Sequence, residues 1–162
     1  MANQLIFDKD GESYTVEVLD NEAVILFNIY LSSSLVGGVR CIKESLDVLF
    51  LGDIAIANEV ILNPRGILGK LLRSIGCQPK PINYRGRGLG SALLEFFINY
   101  ARESGFKVLY GNIYRQDLQS NPKLMQWYKR YGFEVKRLPT EAKPDVVSRV
   151  ELNLLYTANR NS

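Results

Sequence analysis

Histidine is absent from this 162-residue chain. That removes Ser-His-Asp and Cys-His nucleophilic machinery and histidine-ligated zinc. Proton transfer is left to Asp, Glu, Tyr, Lys, Cys or water. Cysteine is scarce: Cys41 and Cys77 form neither a metal-ligand spacing nor a disulfide framework. They read as reduced thiols of a cytoplasmic protein, and no metal is expected. Excess charge is also small, at +3, which promises little of the basic surface a nucleic acid partner needs. No apolar run is long enough to span a bilayer, and the start of the chain is polar (Asn3, Gln4, Asp8, Lys9, Asp10). Neither a membrane partner nor a secretory leader is expected. The length suggests one domain over residues 1–162, and 46% apolar with 23% charged residues is the balance of a chain able to bury a core.

What the chain does have is glycine in one place. Residues 83–94 read N-Y-R-G-R-G-L-G-S-A-L-L, with Gly86, Gly88 and Gly90 alternating with Arg85, Arg87 and Leu89. The segment after them repeats apolar residues at helical spacing: Leu89, Leu93, Phe96, Phe97, Tyr100 and Ala101. Glycine in a helical first turn costs roughly 1 kcal/mol relative to alanine. One reading is an ordinary turn. The other is a helix N-terminus stripped of side chains so that free N–H groups approach an anion such as pyrophosphate, with Arg85 and Arg87 adding charge. Two known phosphate loops fit poorly. Gly90 is followed by Ser91-Ala92 with no lysine, and Pro79 and Pro81 precede the loop where a dinucleotide fingerprint needs a strand.

In chain order, residues 4–7 and 13–19 read as a hairpin around Asp8-Lys9-Asp10-Gly11. Residues 23–31, 35–43 and 47–57 follow as strands, with a bulge or close approach expected at Gly37-Gly38 and the 47–57 strand apolar on both faces, hence central. Arg65 to Ile75 has the spacing of a short helix. After the long helix, 107–113 is a strand and 114–120 a polar loop. Asn121-Pro122 opens a second helix that stops at Gly132. Short strands are expected from Phe133 and over 150–156. The order predicts an α/β (α+β) fold with a mixed central sheet whose N-terminal half is antiparallel.

The segment Asn121 to Phe133 reads N-P-K-L-M-Q-W-Y-K-R-Y-G-F. Together with the glycine loop, it resembles the GNAT superfamily of acyl-CoA-dependent N-acetyltransferases. Arg85, Gly88 and Gly90 fit the family's first motif, and Asn121, Leu124, Tyr128 and Gly132-Phe133 its second. The resemblance covers residues 85–135 well and 35–57 loosely. It implies a GNAT-like sheet with strands splayed around a coenzyme A cleft, and acetyl-CoA as co-substrate. The amides of Arg85, Gly86, Arg87, Gly88, Leu89, Gly90 and Ser91 would hold its pyrophosphate. Ile54, Ala55 and Ile56, at the end of the 47–57 strand, would bind its pantetheine arm, with Asn121 helping. Tyr128 would stand at the sulfur. The chain departs from the family in three places. Residues 1–35 look extended where one or two helices are usual, residues 58–84 lengthen a usually short connection, and loop 114–120 is long.

Each candidate has a plainer reading beside the functional one. Tyr128 is a general acid for the leaving thiolate, or one more packing aromatic beside Trp127 and Tyr131. Asp53, interrupting an apolar strand, is a general base with a pKa raised by burial, or a structural partner; Glu59 with a water relay is a rival. Arg115 and Asp117 lie near the expected sulfur end. The leading expectation is acetyl transfer to a primary amine. The alternatives are a non-catalytic acyl-CoA-binding module of the same fold and a nucleic-acid-binding domain using R-G-R-G.

Overall fold

Alternation builds the N-terminal half. In the computed structural model, which describes residues 4–58, 60, 81–138 and 145–155, five consecutive strands run antiparallel: β1 (Gln4–Phe7), β2 (Ser13–Asp20), β3 (Val24–Leu31), β4 (Ser34–Lys43) and β5 (Val48–Ile56). Successive side chains in a strand point to opposite faces. In β3, Ile25, Phe27 and Ile29 are buried, whereas Leu26, Asn28 and Tyr30 point the other way and stay partly exposed. The N-terminal half is extended, as the sequence indicates, and only the short stretch 21–23 joins β2 to β3.

The buried face is covered by α1 (Leu89–Glu103). Its apolar spacing puts Leu89, Leu93, Leu94, Phe97, Ile98 and Ala101 inside. Phe27 takes Phe96, Phe97 and Tyr100 edge-on, with ring centroids at 6.0, 5.6 and 5.1 Å. Full burial of side chains such as Phe27 and Phe97 is worth about 1.5–3 kcal/mol each. From α1 the chain enters β6 (Val108–Tyr114), parallel to β5, then α2 (Arg115–Ser120), α3 (Leu124–Arg130), β7 (Glu134–Arg137) and β8 (Val146–Asn153). The eight strands form one sheet in the order β1-β2-β3-β4-β5-β6-β8-β7. This is a mixed α+β fold, antiparallel except for the β5–β6 pair. β5 is central, as its two apolar faces suggest. The opposite face of β2–β4 is open, with Leu19, Leu35 and Ile42 exposed.

Three boundaries differ from the sequence reading. The stretch expected as a loop at 114–120 is helix α2. It buries no residue, so it lacks the apolar period that reveals a helix, but Asp117 in its first turn accepts the Tyr114 amide at 2.8 Å. Helix α3 starts at Leu124 instead of Asn121-Pro122, because Asn121 makes a turn of its own: its Oδ1 accepts Lys123 N at 3.2 Å and its carbonyl Leu124 N at 3.0 Å. Strand β8 begins at Val146, four residues earlier than its alternation suggests, since Val146 to Arg149 pair with Tyr114 to Asn112 of β6. The helix expected over 65–75, Glu59 and Cys77 lie outside the described residues. Cys41 is a buried free thiol. No described helix is long and apolar enough to cross a membrane.

Candidate active site

Gly86 and Gly88 have φ of 78° and 81°, the left-handed region that glycine enters without steric cost. Gly88 is thereby the N-cap of α1. Ser91 N and Ala92 N turn back to Gly88 O. Among the described residues no acceptor meets the amides of Gly86, Arg87, Gly88, Leu89 or Gly90. This is the donor-rich helix start that an anion fits. Asn83 Oδ1 accepts Arg85 N at 2.8 Å, and Arg85 Nε donates to Ile56 O at 3.2 Å, tying the loop to the end of β5. The Ser91 hydroxyl accepts Trp127 Nε1 at 3.0 Å, which fixes α3 against α1.

Arg87 is held elsewhere. Its guanidinium meets Asp8 at 3.0 Å and Glu12 at 2.9 Å, with Asp10 at 3.8 Å, all on the β1–β2 hairpin, and lies over the Tyr84 ring. Lys9 N donates to Arg87 O at 2.9 Å. Asp8 is buried and accepts the amides of Asp10 and Glu12 and the Tyr14 hydroxyl. Burial alone would raise its pKa, but these hydrogen bonds and the Arg87 charge together hold the carboxyl below its usual range. Arg87 thus contributes its backbone to the loop, while its side chain joins the loop to the hairpin. In the sequence, Asp8 reads only as a turn residue; its partner lies 79 positions away.

Strands β5 and β6 pair only from Val48↔Val108 to Leu51↔Gly111. Beyond that point they part. Gly52 is a bulge against β4, where Arg40 faces Asp53 but Cys41 faces Leu51. A Cβ on Gly111 would stand 3.2 Å from Leu51 O, so a glycine sits where the strands separate. Asp53 to Ile56 remain paired to β4, and Asn112 to Tyr114 to β8. Among the described residues no strand lies between their facing edges. That is the slot an extended amide-bearing chain can enter. Ile54, Ala55 and Ile56 lie on one side of it.

Tyr128 is half-buried, with its ring at 4.8 Å from Trp127 and 5.2 Å from Phe133. Among the described residues its hydroxyl has no hydrogen-bond partner. Burial first, then the charges of Asp117 and Asp53, push the phenol's pKa up, so it keeps its proton at neutral pH. Asp117 is on α2 and Asp53 on β5, so the hydroxyl feels both sides of the slot. Asp53 itself is exposed, not buried among apolar residues, because the bulge at Gly52 places it on the open face. Asn121 is exposed and its side chain serves the turn before α3.

A groove of about 360 Å³ runs over β3–β5, lined among others by Leu26, Asn28, Leu35, Arg40, Asp53 and Ala55. Gly37 and Gly38 form part of its floor, because β4 there lies too close to its neighbours to carry side chains. A Cβ on Gly38 would be 2.5 Å from Phe27 O, and one on Gly37 2.7 Å from Ala55 O, distances no side chain tolerates. The groove was not legible in the sequence, where Arg40 and Asp53 are 13 residues apart.

The sequence matches the Acetyltransferase (GNAT) domain family over residues 23–135. No curated protein matches it by sequence. Among solved structures, the GNAT domain of PAT from S. lividans is similar, at 13% identity and a TM-score of 0.60, covering 93% of this chain and 96% of that one. A GNAT family acetyltransferase from Elizabethkingia anophelis with acetyl-CoA bound is 14% identical (TM-score 0.54, 81% of this chain and 76% of that one). PaiA N-acetyltransferase from Thermoplasma acidophilum, in complex with coenzyme A, is 12% identical (TM-score 0.52, 81% and 61%). The slot between parted central strands, a glycine-capped helix beside it and a family match across most of the chain agree: the protein belongs to the GNAT acetyltransferase family.

Proposed function

We propose that the chain transfers an acetyl group from acetyl-CoA to a primary amine by direct attack. The observation that carries this reading is the parting of β5 and β6 after Leu51↔Gly111, with unpaired loop amides on one side and the Tyr128 hydroxyl near the slot. The amides of Gly86 to Gly90 would hold the pyrophosphate, the edges of Ile54 to Ile56 the pantetheine amides, and Arg85 would keep the loop and β5 together. The thioester supplies an activated acyl carbon when bound. Asp53 takes a proton from the acceptor ammonium, so that the neutral nitrogen can form the new N–C bond as the C–S bond breaks. Tyr128 gives its proton to the departing sulfur. Of the two protons the ammonium loses, one replaces the proton Tyr128 gave, and the other leaves for solvent through Asp53.

A second reading, a non-catalytic acyl-CoA-binding module, is favoured by the short 21–23 connection, where the family's usual helices would shape an acceptor site. Two measurements separate the readings. Calorimetric titration with CoA and acetyl-CoA tests the site, and release of free thiol with a panel of amines tests transfer. Binding without thiol release leaves the module; no binding by the intact protein removes both.

A further inference from the structure

At the level where β5 and β6 part, a row of side chains crosses the open face. Arg40 of β4 stands opposite Asp53 of β5, and Asn112 of β6 opposite Arg149 of β8. Cα atoms of antiparallel partners lie about 4.5–5.5 Å apart, within reach of a direct ion pair. None forms: no salt bridge or hydrogen bond among the described residues uses the side chain of Arg40 or Asp53. Both line the groove, and both are exposed. Other charges nearby are engaged. Glu17 accepts Tyr30 and Asn28, Glu44 accepts the Tyr110 hydroxyl, and Lys136 pairs with Glu151. Arg149 lies over the Tyr110 ring at 4.3 Å, with its Nε buried and unpartnered, and adds positive charge to the same row. Beside the Arg40 and Asp53 pair the groove is apolar, at Leu26, Leu35 and Ala55.

Resting on the acetyltransferase reading, we propose that the acceptor is a small amine with a carboxylate on the neighbouring carbon, an α-amino acid in type. Its ammonium sits on Asp53, its carboxylate on Arg40, and its side chain over Leu26 and Leu35. One dipolar ligand answers both unpaired charges at cross-strand spacing. A diamine would bring a second cation to Arg40, and a lysine side chain of a protein carries no carboxylate near its amine. The groove, about 360 Å³, has room for a free amino acid.

The test measures thiol release at saturating acetyl-CoA with leucine, leucinamide, isoamylamine and cadaverine. Leucine is expected to have the lowest KM. In Arg40→Gln its KM should rise roughly 10- to 100-fold, the loss of a charge-assisted hydrogen bond, and converge on that of leucinamide, while the CoA dissociation constant stays where it was. Equal KM values for leucine and leucinamide in the natural protein overturn the proposal and leave acetyl transfer standing, as does an unmoved leucine KM in Arg40→Gln. Absence of CoA binding or of thiol release with every amine overturns the parent reading instead, and this one with it.

Discussion

Gly88 and Gly90 are two residues apart and meet opposite demands. Gly88 has φ of 81°, where a Cβ costs roughly 1–2 kcal/mol. Gly90 is helical, and a Cβ there would meet only Ile56 Cγ1 at 3.8 Å. In calorimetric melts of the free protein, Gly88→Ala should therefore lower the melting temperature by a few degrees, about 2–4 °C per kcal/mol at this size. Gly90→Ala should hold or raise it, because alanine is the better helix former. Gly90→Leu should abolish the rise in melting temperature that CoA produces, since its side chain would stand in front of the loop amides. At Tyr128, replacement by Phe keeps the ring contacts with Trp127 and Phe133 and removes the proton. Turnover should fall about 100-fold or more with CoA affinity hardly changed. Steady-state kinetics decide it, and near-normal turnover would return Tyr128 to packing.

The β1–β2 hairpin and the glycine loop work as one element joined at Asp8 and Arg87. An aspartate whose folded pKa lies below its unfolded value, about 3.9, adds stability that is complete above that value and lost as pH falls through the folded pKa. Asp8→Asn should thus cost about 1.5–3 kcal/mol at pH 7, the scale of hydrogen bonds to a charged group, since Arg87 keeps Glu12 as a partner. The gap between the melting temperatures of the two proteins should start to narrow only as pH falls to about 4 and close below the folded pKa of Asp8. A gap constant with pH would mean that the Asp8 charge contributes nothing. The variant should also weaken CoA binding several-fold in a calorimetric titration, because the loop would lose its anchor. Elements with a strong apolar signal were legible: β2 through alternation, β3 and β5 through nearly continuous apolar runs, and α1 through its 3- and 4-residue spacing. Helix α2 was not, because it buries nothing; the Asn121 turn imitated a helix cap; and the early part of β8 follows Pro139 and Pro144, which make residues 138–148 read as a loop.

Over the whole molecule, local spacing carried the glycine loop and the Tyr128 helix, because each motif is contained in one loop and helix. What stayed illegible is what the sheet brings together across distance: Arg87 with the hairpin acids, and Arg40 with Asp53. The bulge at Gly52 also moved Asp53 from an expected interior to the open face, which no single-strand pattern shows. The strand order has a further consequence, for synthesis. Strands β1 to β5 follow one another in both chain and sheet, so each can pair with its predecessor as it emerges. The C-terminal half cannot, because β8, made after both, enters between β6 and β7. Until residues 146–153 arrive, β6 carries an open edge and β7 has no partner in the sheet. A chain cut short before Val146 would therefore expose two unmatched edges, the kind that recruit other chains. Nascent copies should therefore stay open to edge-to-edge association until β8 has paired.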